Sequence, residues 1–144
     1  VRDGGAKYNY QLIRREREQT PRAGMARFGL QAPAQRLRVR ALHLADNRPY
    51  ILEDRWVDTT STPEILQVDL AQHSANEWLV RNKPYSRVDV RFSAITAEGA
   101  TAEYLAAPLG SALFVIERTT WIGADPITTV QSVAAPGYQL VAQS

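Results

Sequence analysis

The chain has 144 residues, 44% hydrophobic and 22% charged, which fits one globular domain with enough core to fold without staples. It has no cysteine, which excludes a disulfide framework, thiolate metal sites and a cysteine nucleophile, and its two histidines are too few for a His-rich metal site. The net charge of +2 conceals an asymmetry: residues 1–48 hold 11 Arg or Lys against 4 Asp or Glu, and the remainder hold 6 against 11. The basic residues are scattered among apolar ones without interleaved aromatics, so this front end reads as a solvated face rather than a nucleic-acid surface. No apolar run approaches the ~20 residues of a membrane span, and no start resembles a signal peptide. The expected location is the cytoplasm, with no membrane partner.

Along the chain, Asp3-Gly4-Gly5 is linker chemistry. From Tyr8 to Gly29 the pattern is mixed, with the charged run Arg14 to Glu18 expected as a solvated face. Thr20-Pro21 reads as an N-cap with Pro at the first helical position, opening a short helix to Phe28 that stops at Gly29. Gln35 to Ala45 alternates as a strand: Leu37, Val39, Ala41, His43 and Ala45 share one face, Arg36, Arg38, Arg40, Leu42 and Leu44 the other. Asp46-Asn47-Arg48-Pro49 is a turn, and Tyr50 to Val57 runs back as the second arm of a hairpin. Thr62-Pro63 opens a short helical turn. Ser74-Ala75-Asn76-Glu77 is a capping box opening a helix over Ala75 to Asn82. Tyr85 to Ile95 is a strand, Gly99 to Ala107 a short helix ended by Pro108, and Ala112 to Ile122 another long strand. Gly123 to Pro126 turns it, Ile127 to Ala134 returns, and Gly137 to Ala142 makes a last short strand. Two halves of similar pattern, each a long strand, a turn ending in Pro and a return, suit an α+β fold: a mostly antiparallel sheet with helices packed on one side.

No Gly-x-Ser-x-Gly, Walker loop, Gly-x-Gly-x-x-Gly or His-Glu-x-x-His is present, which argues against the common hydrolases and nucleotide enzymes. His43 and Glu53 stand out instead. A hairpin registered around Arg48 opposes them directly on one face, with Arg55 nearby, so that a His, a carboxylate and a guanidinium line a partly buried patch. That trio is either a pocket wall or a structural group that satisfies itself. The capping box at Ser74 either caps its helix or also presents free amides to an anion. Trp56, Trp78 and Trp121 read as core or interface.

Met25-Ala26-Arg27-Phe28-Gly29, Asp46-Asn47-Arg48-Pro49, Leu52-Glu53-Asp54-Arg55-Trp56-Val57, Glu117-Arg118-Thr119-Thr120-Trp121, Pro126-Ile127-Thr128 and Pro136-Gly137-Tyr138, taken in this order and spacing, carry a family likeness. The chain resembles the UTRA effector-binding domain of GntR-type bacterial transcription regulators, and within them the histidine-utilisation repressor (HutC) branch, from about Tyr8 to Ala142. The resemblance implies a chorismate-lyase-like fold and a homodimer. It implies that residues 1–7 are the linker from a missing N-terminal winged helix-turn-helix and 8–144 the UTRA ligand-binding domain, operator DNA being bound through the missing domain only. It further implies a small-molecule effector, urocanate or a related acid, and no cofactor or metal.

Where relatives that bind phosphorylated sugars carry Arg side chains before the turn, this chain has Ala41 and His43, which argues against a phosphorylated ligand. Matched by position, the ligand-binding residues would be His43, Glu53, Arg55, Ser74, Asn76 and Tyr138, and the family's Glu after the second turn is replaced by Thr128. The ring of a urocanate-like ligand would meet His43 and Glu53, and its carboxylate the helix start at Ser74 and Arg55. The alternative is an enzyme on the same fold, a chorismate-lyase-like activity, which would stand free of any DNA-binding domain.

Overall fold

The structure is a computed structural model that describes residues 7–20, 25 and 35–138. Among the described residues, six strands form one antiparallel sheet in the order β1-β2-β3-β6-β5-β4. The strands are β1 (Tyr8–Gln19), β2 (Gln35–Ala45), β3 (Arg48–Val57), β4 (Arg87–Thr96), β5 (Ala112–Ile122) and β6 (Asp125–Ala134). The sheet is thus two three-stranded meanders joined edge to edge through β3 and β6. A 3-10 turn, Pro63–Gln67, and helix α1, Ala75–Asn82, connect the meanders, and helix α2, Gly99–Leu105, lies between β4 and β5. No helix among the described residues is long and apolar enough to cross a membrane.

Pairing sorts every strand residue onto one of two faces. Leu37 lies opposite Val57 and Val39 opposite Arg55, and with Ile65, Leu70, Ala75 and Leu79 these apolar residues build one core beneath α1. Leu42 lies opposite Leu52, which lies opposite Val133, and with Ala102, Leu105, Leu113 and Val115 they build a second core beneath α2. The helices therefore divide between the two faces, where a single helical layer is expected from sequence. The cause is β2 itself: it is apolar at Leu37 and Val39 on one face and at Leu42 on the other, so each face needs a cover.

Both hairpins end in two-residue turns rather than four-residue ones. Asp46 and Asn47 both have positive φ, 51° and 63°, the pattern of a type I′ turn whose twist matches its strands. Pro49 and Pro126 already belong to the strands, at ends where they pair with only one neighbour. Just after each proline the register shifts: Tyr50 is the extra residue between the pairs Leu44–Pro49 and His43–Ile51, and Ile127 between Trp121–Pro126 and Thr120–Thr128.

Strand β1 lies where sequence pattern shows only a mixed segment. A register shift between Leu12 and Arg14 breaks its alternation, and it is an edge strand with much charge exposed. Arg15, expected in a solvated face, instead donates to the carbonyls of Val68, Ile65 and Leu66 and so clamps the 3-10 segment to the sheet. The helix expected over 21–28, of which only Met25 is described, and residues 139–142 of the last expected strand lie outside the described residues. Pro136 and Gly137 form a turn.

Candidate ligand-binding site

The face beneath α1 is only partly covered by that helix. Beside the helix lies a cavity of about 440 Å³ whose floor is β3, β6 and β5. Its floor residues follow from the register. Glu53 sits in a row with Ser132 and Ile116, Arg55 with Val130 and Arg118, and Thr128 with Thr120. The two bulges widen the polar and aromatic lining, because each turns two consecutive residues to the cavity: Tyr50 with Ile51, and Ile127 with Thr128.

Glu53 organises the floor. Only 4% exposed, it accepts hydrogen bonds from His43 Nε2 and from Arg55 Nε, both at 2.8 Å. Burial pushes its carboxyl up, but the charge of Arg55 and the hydrogen bonds from His43 and Arg55 outweigh that and hold it at about 2. An ionised carboxylate only accepts, so His43 carries its proton on Nε2, which leaves Nδ1 an acceptor in the neutral ring. Arg55, 3% exposed, is held on three sides. Besides Glu53, its Nη1 donates to Thr128 Oγ1 at 3.1 Å and its Nη2 to Asn76 Oδ1 at 3.4 Å. Thr128 Oγ1 in turn donates to the Trp56 carbonyl at 2.9 Å. The threonine at this position is therefore the seat of the arginine. Tyr10 packs its ring 5.3 Å from that of His43, and burial, with Glu53 nearby, pushes its phenol up to about 12.

The expected direct opposition of His43 and Glu53 is not what forms. The two-residue turn and the bulge put His43 opposite Ile51 and Glu53 opposite Ala41, so the pair meets diagonally on the shared face, which long side chains can span. The expected partly solvated carboxylate is likewise a buried one. Ser74 and Asn76 both line the cavity, but Ser74 Oγ accepts from the Glu77 amide at 3.1 Å, and Asn76 serves Arg55. Tyr138 is not among the lining residues. Its ring stands beside the cavity between Phe114 and Tyr50, 5.8 Å from each, in a file of rings that runs from Phe92 to Tyr8. The lining also includes Tyr8, Lys83, Tyr85 and Arg118, none of which sequence pattern singled out as site residues. Ile116, Arg118 and Thr120 do alternate along β5, a signal that shows a shared face but not which side of the sheet it takes. Among the described residues no cluster of His, Cys, Asp or Glu could hold a metal ion.

The family model for the UTRA domain matches residues 3–136. The chain belongs to the UTRA domain family. A histidine utilization repressor of Pseudomonas putida is 26% identical over 92 residues, 64% of this chain, and the matched stretch spans 37% of that repressor's length. In structure, this UTRA domain is similar to the C-terminal domain of the histidine utilization repressor from Pseudomonas syringae pv. tomato, with a TM-score of 0.86 at 19% identity over 96% of this chain and 99% of the other. It is also similar to the ligand-binding domain of a GntR-family transcriptional regulator from Bordetella bronchiseptica, with a TM-score of 0.78 at 17% identity over 99% and 91%. The α+β, chorismate-lyase-like fold implied by the sequence resemblance is the fold of this UTRA domain.

Proposed function

We propose that this UTRA domain is the effector-sensing part of a bacterial transcriptional repressor, and that its cavity binds a small planar acid with an N–H-bearing ring, urocanate favoured. The observation that carries the reading is the buried, ionised Glu53 with His43 at the cavity wall. Two acceptors, the remaining lone pairs of Glu53 and Nδ1 of His43, suit the N–H of an imidazole. The same carboxylate is a poor general base: at about 2 it is far from the neutral range that proton transfer needs, and both its oxygens are engaged. That favours binding without catalysis.

In this proposal the full-length protein binds operator DNA through a winged helix-turn-helix domain ahead of residues 8–144, with residues 1–7 as linker. It works in the cytoplasm as a homodimer. Effector binding shifts the population of dimer arrangements, for which a coupling of roughly 1–3 kcal/mol suffices. The edge strand β4 is the expected pairing surface, since Val90 and Phe92 are 45% and 54% exposed on an edge with no neighbouring strand among the described residues. Isothermal titration of the chain with urocanate, histidine, imidazole-4-acetate and glucosamine 6-phosphate tests the reading. Saturable binding of urocanate in preference to the sugar phosphate is expected, and preference for the sugar phosphate would overturn it.

A further inference from the structure

We propose that Arg118 is the anion anchor of the cavity and selects an effector that carries a carboxylate. This rests on the effector-binding reading and adds to it the residue that sets ligand charge. Arg118 stands on β5 in one row with Val130 on β6 and Arg55 on β3. The two arginines are two strands apart, about 10 Å between backbones, and both line the cavity. They differ in what holds them. Arg55 is buried and engaged by Glu53, Thr128 and Asn76. Arg118 is exposed at the cavity wall, and its side chain makes no hydrogen bond or ion pair with any described residue.

The charge balance of the cavity points the same way. Glu53 is answered by Arg55, and Lys83 by Glu64 at 2.8 Å. Among the described residues, an entering anion therefore meets one open guanidinium, whose planar pair of N–H groups matches the two oxygens of a carboxylate. The helix start at Ser74 is the competing place for that anion, and it is poorly suited. The serine hydroxyl already accepts from the Glu77 amide, Asn76 Oδ1 already accepts from Arg55, and Glu77 brings its own carboxylate to the cavity in the first turn of α1. Between Glu53 and Arg118 the floor is Ser132, Val130 and Ile116, a short and mostly apolar strip. The ligand that fits is flat, with a donor ring over Glu53 and His43 and a carboxylate at the far end over Arg118.

Calorimetric titration of wild type, Arg118→Gln and Arg118→Lys with trans-urocanate and with its neutral amide tests this. The expected result is that Arg118→Gln weakens urocanate about tenfold or more, the scale of one charge-assisted bond, and leaves the amide within about twofold, with Arg118→Lys between. An unchanged melting temperature, expected for an exposed side chain, shows that the fold is intact. Equal losses for acid and amide, or no loss for the acid, overturn the anchor while the effector reading stands. If wild type ignores urocanate but binds imidazole-4-acetate or 4-hydroxybenzoate, the urocanate reading fails, and the same acid-against-amide comparison on that frame decides Arg118. Wild type that binds only the neutral amides overturns the anchor, and wild type that binds no member of the panel overturns both.

Discussion

Replacing Glu53 by alanine removes the counter-charge of a guanidinium that has almost no contact with solvent. Arg55 is 3% exposed and keeps only the neutral acceptors Thr128 and Asn76 once the carboxylate is gone. Breaking a buried pair by deleting one partner costs about 3–5 kcal/mol, because the remaining charge stays desolvated. Spread over 144 residues, the unfolding entropy is roughly 0.3 kcal/mol per kelvin, so the melting temperature should fall by roughly 10–16 °C. Urea unfolding followed by tryptophan fluorescence reads this directly, since Trp56 is buried on the same strand. The double substitution Glu53→Leu with Arg55→Met should recover most of the loss, because no unpaired charge remains and Ala41, Val39 and Val130 stand opposite the two positions. His43, with 30% of its side chain exposed, can then be hydrated. A loss below about 1 kcal/mol for the single variant, or a double variant no more stable than the single, would refute the view that this pair is a buried and mutually dependent unit.

The same carboxylate sets an acid limit on stability. Its folded value of about 2 lies below the ordinary 4.5, so its contribution, at most about 3 kcal/mol, is complete above pH 4.5 and is lost as the pH falls toward 2. Glu53→Gln should flatten that part of a stability–pH curve measured by urea titration. Thr128→Val leaves Arg55 Nη1 and the Trp56 carbonyl without their shared hydroxyl and should cost about 2 kcal/mol by the same assay. Ala106 closes α2 with a left-handed φ of 51°, so Ala106→Gly should stabilise by about 0.5 kcal/mol, the relief of Cβ strain less the entropy of glycine, seen as a higher urea midpoint.

Local pattern was enough to locate the elements whose signals are local. The Ser74 capping box gives α1 its observed bounds, and alternation gives β2 its bounds. Glu53, His43 and Arg55 were legible as a group because they share one hairpin, where parity alone puts them on a common face. The depth of Glu53 was not legible, since it depends on α1 and β6, which arrive from distant sequence. Thr128 could not be read as the seat of Arg55 for the same reason: 73 positions separate them, and only the β3–β6 pairing brings them together. Arg118 was visible as a family-like position but not as a cavity wall, because a strand's alternation does not say which of its faces is covered. Strand β1 was lost to the break in its own alternation at Leu12–Arg14, combined with a charge content that its edge position tolerates.

The bulges at Tyr50 and Ile127 bear on how such a cavity can change over descent. From Ile51 to Val57 every residue is committed to a side: Glu53 and Arg55 to the cavity, Leu52 and Trp56 to the opposite face. A one-residue deletion inside that stretch would exchange the two sets, burying the ions in the second core and filling the cavity with leucine and tryptophan. A residue gained or lost at a bulge leaves the hairpin pairing beyond it in register, because the extra residue has no partner within its own hairpin; the carbonyls of Tyr50 and Ile127 accept instead from the Ala135 and Asp58 amides on the other side of their strands. Both bulges open onto the cavity wall and neither forms part of the row that holds Glu53. Length variation can therefore reshape the wall against which a ligand rests while the floor that reads its polar groups stays in register, which gives one sheet a route to new ligands by insertion and deletion as well as by substitution.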